Sequence, residues 1–194
     1  SRGKRALCLV GANKHIALLP DANPELTGKG ISDSFTGCAG QRCMAASVVL
    51  AVGKVDHLIE KIIERSKSQV LGDSMGAIIT KEQLDFLNSA VDQAVKDGAK
   101  ILLDGRNPAV DGQFKKGYWL APTILDNVKP GSQAATFELF GPILSIVRCK
   151  NITEAMAIEN SNVYGNACSV FTSSGPLAES VISKATAGMV GINI

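Results

Sequence analysis

The sequence has no apolar run long enough to cross a bilayer: its longest, Cys43 to Val52, is roughly half of what a spanning helix needs. The N-terminus lacks the basic, apolar, small-residue succession of a signal peptide. Neither a CxxC pair nor two histidines at ligand spacing occur, so no structural zinc is expected. Basic residues number 20 and acidic residues 18, for a net charge of +2. These charges are scattered, and a basic stripe for nucleic acid or a membrane surface is absent. There is no Gly-x-Gly-x-x-Gly element, no internal repeat and no low-complexity tract. The two histidines, His15 and His57, have no visible Ser or Asp partner and read as structural or surface residues.

What remains is the profile of a soluble, intracellular globular domain: 194 residues, 45% hydrophobic and 20% charged, enough for one real core. Five cysteines at irregular spacing are an odd number in a chain too large to need staples, which favours reduced thiols.

Hydrophobic periodicity alternates between strand and helix. Val48–Val52 is a β-branched run. Ile59, Ile62 and Ile63 then share a face of a helix from Asp56, its expected cap, to about Gln69. Thr80 and Gln83 have capping-box spacing before an apolar stripe of Leu84, Leu87, Val91, Ala94 and Val95, closed by Gly98. Strands are expected at Lys100–Leu103, Tyr118–Leu125, Leu139–Val147, Cys168–Thr172 and Gly188–Ile194. Helices are expected at Thr153–Asn160 and from Pro176. Such alternation predicts an α/β fold, a mostly parallel sheet with helices on both faces. The apolar ending Gly-Met-Val-Gly-Ile-Asn-Ile has no cap or turn after it, which suggests a domain excised from a longer enzyme.

Cys43 stands in Gly37-Cys-Ala-Gly-Gln-Arg-Cys-Met-Ala-Ala. Small residues around it would let a substrate and a cofactor approach its sulfur from two sides, with Arg42 adding positive charge next to it. A reachable, stabilised thiolate is a nucleophile. Taken alone, the same residue reads as a buried packing thiol, as most cysteines do.

The wider pattern decides between these. Gly40-Gln-Arg-Cys43, with Val10-Gly-Ala-Asn-Lys-His15 and Pro20-Asp-Ala-Asn23 upstream and Phe137-Glu-Leu-Phe-Gly-Pro-Ile-Leu144 downstream, resembles the catalytic domain of the NAD(P)-dependent aldehyde dehydrogenase superfamily over nearly all of residues 1–194. Asp126–Gly131, Asn162–Thr172 and Gly188–Asn193 resemble its CoA-acylating methylmalonate-semialdehyde branch.

The resemblance implies a catalytic domain whose cofactor-binding and oligomerisation parts lie outside these residues, with NAD as cofactor and coenzyme A as acyl acceptor. Its partner would be a small-molecule aldehyde, with no nucleic acid and no membrane. The parent enzyme would be a homo-oligomer, dimer or tetramer, of cytoplasm or mitochondrial matrix. Cys43 matches the nucleophile, and its backbone N–H would hold the oxyanion together with an asparagine that the family places before residue 1. Glu138 matches the glutamate that contacts the nicotinamide ribose, and Phe140 the aromatic beside the ring. Arg42 matches the cation for the substrate carboxylate, or is a structural arginine held by backbone carbonyls. Cys38 and Cys43 could form a disulfide under oxidation. Hydrolytic members carry a glutamate that activates water; the matching position here is Leu9, which cannot accept a proton, so a thiol acceptor is implied. The chain departs from the branch in its Asn13-Lys14 order and in Ala46. A hydrolytic dehydrogenase of another semialdehyde, and a fragment inactive in isolation, are the competing readings.

Overall fold

The computed structural model describes residues 11–194; Cys8 and Leu9 lie outside the described residues. Among the described residues, seven strands form one sheet: β1 (Lys14–Leu18), β2 (Ala46–Val52), β3 (Lys100–Leu103), β4 (Thr123–Asp126), β5 (Ile143–Cys149), β6 (Ala167–Phe171) and β7 (Met189–Ile192), in the order β3-β4-β5-β2-β1-β6-β7. Every pairing is parallel except β3 with β4, at one edge.

The pleat sends alternate side chains of β2 to opposite faces. Val48, Leu50 and Val52 join one core and Val49 and Ala51 the other. The second core is roofed by α1 (Pro24–Thr36) and α2 (Asp56–Lys67) through Ile31, Phe35, Leu58 and Ile62. The first is covered by α3 (Lys81–Lys96), α4 (Gln133–Thr136), α5 (Ile152–Asn160) and α6 (Gly175–Lys184), through residues such as Leu87, Val91, Ala155 and Val181. Helices on both faces of a mostly parallel sheet are as the periodicity required. Among the described residues, no helix is long and apolar enough to cross a membrane.

Several elements differ from expectation for physical reasons. Strand β1 carries Lys14 and His15, which look polar in sequence, yet all five of its residues are buried. Helix α1 holds Gly28 and Gly30, which weaken a helical pattern. It starts at Pro24 under an Asn23 side chain that accepts from Leu26 N. Gly28 lies against Lys61, where a Cβ would come within 3.0 Å of a backbone oxygen, so the missing side chain lets α1 approach α2.

Asp56 does not cap α2. Val55 occupies that position with no side-chain bond, and Asp56 instead accepts from Arg148 Nη2 at 2.8 Å. Thr80 caps α3 by accepting from Gln83 N, but the Gln83 side chain goes elsewhere, and Val95 is 43% exposed. The segment 118–122 is not a strand, holding a bridge from Tyr118 to Ile78 and a bond from Ala121 N to Gly105 O, and β5 begins at Ile143 because residues 137–141 form a loop.

Candidate active site

Four loops converge at the amino ends of strands β5, β2, β1 and β6, each just before its strand begins. In open parallel sheets ligands more often gather at the carboxyl ends. Here α1 returns the chain across the sheet, and the segment from its end to β2 delivers Cys43 to the opposite rim.

That segment opens with three consecutive left-handed residues: Cys38 at φ 52°, Ala39 at φ 54° and Gly40 at φ 68°. The first two cost roughly 1–2 kcal/mol each against their Cβ atoms, so the turn must be held from outside. Gln41 is the clamp. Its Nε2 donates to Ala77 O and Cys38 O, both at 3.1 Å, and its Oε1 accepts from Ile79 N at 3.0 Å. Cys43 follows, exposed and free.

The second loop carries Glu138 and Phe140. Glu138 Oε1 accepts from Ala12 N at 3.0 Å, which ties it to the entry of β1. Phe140 sits at φ 56°, an outlier for a bulky side chain, and is 41% exposed. The Gln83 amide holds this loop by donating to Leu139 O at 2.7 Å and Phe140 O at 3.4 Å. Gly141 packs on Leu87, whose methyl groups leave no room for a Cβ.

A cavity of about 620 Å³ opens between the loops, lined by Gly11, Ala12, Cys43, Glu138, Phe140, Gly165 and Asn166. It brings together three of the residues singled out in the sequence, Cys43, Glu138 and Phe140. Arg42 lines a smaller adjoining cleft with Glu138 and Phe140. Its Nη2 donates to Ser34 O at 2.8 Å, and its guanidinium lies over Gly37, where a Cβ would stand 2.7 Å away. Sequence reasoning missed Asn166 and the two glutamine clamps. Asn166 Nδ2 donates to Cys43 O at 3.2 Å across 123 residues, and the only sequence signal for it was its place in the Asn162–Thr172 motif.

The four described thiols are free, Cys38 and Cys43 exposed, Cys149 and Cys168 buried. Burial pushes Cys149 up to about 11; burial, with the neighbouring Glu159 carboxylate, pushes Cys168 up to about 12. Such thiols are inert at neutral pH. Lys14 is 9% exposed, and burial first, then the Arg42 charge, lowers its pKa from the usual lysine value. His15 is buried with Nδ1 2.8 Å from Glu159 Oε2, a structural pair, while His57 is exposed on α2.

The profile of the aldehyde dehydrogenase family matches residues 1–194. A Drosophila pseudoobscura pseudoobscura protein, assigned as a mitochondrial acylating methylmalonate-semialdehyde/malonate-semialdehyde dehydrogenase, is 38% identical over 99% of this chain and 38% of its own length. The mitochondrial acylating enzyme of Rattus norvegicus is 36% identical over 99% of this chain and 37% of its own. The chain thus spans under two fifths of these relatives. Among solved structures, a Sinorhizobium meliloti 1021 protein assigned to the methylmalonate-semialdehyde dehydrogenases and complexed with NAD superposes with a TM-score of 0.93 at 34% identity, covering 99% of this chain and 40% of that one. The methylmalonate-semialdehyde dehydrogenase of Oceanimonas doudoroffii gives 0.90 at 32% identity, over 95% and 39%. With the family profile matching residues 1–194 and the fold in agreement over the described residues, the chain belongs to the aldehyde dehydrogenase family.

Proposed function

We propose that the chain is the catalytic domain of an NAD-dependent, CoA-acylating dehydrogenase of methylmalonate or malonate semialdehyde, with Cys43 as its nucleophile. One observation carries this reading: Cys43 and the Glu138–Phe140 pair, 95 and more residues apart in sequence, line a single open cavity. The similarity to acylating enzymes, and Leu9 at the position of the hydrolytic glutamate, point to the acyl acceptor.

The Cys43 thiolate adds to the aldehyde carbon and forms a thiohemiacetal, whose oxyanion is met by the Cys43 backbone N–H. The cavity suits the nicotinamide ribose end of NAD: Glu138 has one oxygen engaged by Ala12 N–H, and among the described residues its other oxygen takes no hydrogen bond, which leaves it to accept from a ribose hydroxyl. Phe140 presents its exposed ring to the same space. NAD, when bound, supplies the hydride acceptor that turns the thiohemiacetal into a thioester. The substrate carboxylate is lost as CO2 and the carbon that carried it takes a proton from solvent; the coenzyme A thiolate attacks the thioester carbonyl, the Cys43 thiolate leaves, and the acyl group departs as propionyl-CoA or acetyl-CoA. Arg42 keeps donors beyond the one spent on Ser34 O, and a guanidinium fork fits a substrate carboxylate.

In the complete protein, assembled as a dimer or tetramer in cytoplasm or mitochondrial matrix, NADH should accumulate steadily only when coenzyme A is supplied. Steady turnover with no thiol acceptor would mean a hydrolytic dehydrogenase instead. Light scattering of that protein reads the assembly, and a monomer would remove the oligomer from this proposal. Cys43→Ala should abolish hydride transfer with the fold retained; dehydrogenase activity in that variant would end the assignment of the nucleophile.

A further inference from the structure

The chain between α5 and β6, Ser161 to Asn166, alternates in exposure: Val163 is 88% exposed, while Asn162, Tyr164 and Asn166 turn inward. The inward residues of this strap reach the entry of β1 and the Cys43 carbonyl. Asn162 Nδ2 donates to Asn13 O at 2.8 Å, and its Oδ1 accepts from Tyr164 N at 3.0 Å. The Tyr164 ring fills the space a Cβ on Gly11 would need. Asn166 Nδ2 donates to the Cys43 carbonyl. Outside the strap, Gly188 N donates to Gly165 O at 2.7 Å and fixes the residue before Asn166.

We propose that Asn166 is a positioning residue for Cys43, its side-chain amide holding the peptide plane that follows the nucleophile and so the direction of the sulfur. This rests on the reading of Cys43 as nucleophile. The approach to Cys43 is secured by Gln41 and by Arg42 on Ser34 O. The exit is secured by Ala45 N on Arg42 O and by Ala46 N on Ser34 Oγ, each at 3.0 Å. Cys43 itself lies in neither helix nor strand, and among the described residues no other group donates to its carbonyl. Without Asn166 that carbonyl turns to water and rotation about the Cys43 backbone is released, with the sulfur attached to the rotating unit. Reaction geometry is sensitive to displacements of this kind. The anchors at Asn162, Tyr164 and Gly188 make the strap a fixed support. Because Asn166 lines the same cavity, its amide reaches the nucleophile without crossing the core.

The test compares Asn166→Leu, Asn166→Asp and Asn166→Gln in the complete protein, with kcat and the KM for NAD measured separately and with coenzyme A present. The aspartate keeps shape and polarity but presents oxygen to an oxygen, so it should fall with the leucine variant. Both should lose about ten-fold in kcat, the size of one hydrogen bond at the upper end of the usual range, with the KM for NAD unchanged. Glutamine keeps the donor on a longer arm and should return to within about three-fold of the starting enzyme. Wild-type kcat in Asn166→Asp would overturn the proposal, even where the leucine variant fails to fold. So would a rise in the KM for NAD that matches the fall in kcat, the mark of a general loosening of the site. Activity retained in Cys43→Ala would instead refute the nucleophile assignment, whatever the three variants show.

Discussion

Gly40 presses against the carbonyl of Gly141 with no room for a side chain: a Cβ there would overlap that oxygen and lie 2.9 Å from Phe35 O. This is where the cysteine loop and the glutamate loop touch, so the spacing between Cys43 and Glu138 depends on the side chain that Gly40 lacks. Backbone cannot yield as the end of a flexible side chain can.

Gly40→Ala therefore suffers twice, from the left-handed φ of 68° and from the overlap, for a combined loss of roughly 2–4 kcal/mol. A lowered thermal midpoint together with lost dehydrogenase activity in the complete protein checks this. A Gly40→Ala enzyme that unfolds and turns over like the original would contradict the contact.

Thiol reactivity separates the cysteines. Iodoacetamide at pH 8 should label Cys43 first, and well before Cys149 and Cys168. With values near 11 and 12, those two are thiolate at the level of about one part in a thousand or less. Peptide mapping over time gives the order; Cys149 or Cys168 reacting as fast as Cys43 would count against an activated nucleophile.

Acid stability should depend on Asp126. Burial by itself would raise its pKa, but the Arg148 guanidinium, at 2.8 Å from both carboxylate oxygens, and the Asn127 N–H hold it below the usual aspartate value. Because the folded value is depressed, the stabilisation is complete above the unfolded aspartate pKa of about 3.9 and fades as pH falls through the folded one. Arg148→Met should lose roughly 1–3 kcal/mol near neutrality and should flatten the pH dependence of unfolding below about pH 4. Denaturant titrations of both proteins across that range provide the measurement.

Gln83→Leu should loosen the Glu138–Phe140 loop, since it removes the donor to Leu139 O and Phe140 O while filling a similar volume. A stability loss of about 1 kcal/mol should accompany a KM for NAD that rises several-fold more than kcat falls. Unchanged KM for NAD would show that the loop holds its shape without the amide.

Local pattern was enough for much of this molecule. The β-branched run of β2 and the capped apolar stripe of α3 declare themselves within a few residues, since side-chain period and cap chemistry act over one or two turns. The motifs around Cys43, Glu138 and Phe140 were equally legible as residue types. By contrast β1 was hidden, because burial of Lys14 and His15 depends on neighbours such as Glu159, 144 residues away, that the sequence does not place beside them. Helix α1 was hidden by its glycines, of which Gly28 allows the approach to α2 at Lys61 and Gly30 faces the Phe171 ring of β6.

The amino acids alone thus specified a doubly covered parallel sheet and a cysteine of a recognisable chemical kind. Tertiary structure alone decided that four loops meet at the amino ends of β5, β2, β1 and β6, that Arg42 spends a donor on Ser34 O, and that Asn166 grips the Cys43 carbonyl. The reason is distance along the chain: caps and periodicity are fixed by near neighbours, whereas a hydrogen bond spanning 123 residues exists only after strand order has brought its ends together.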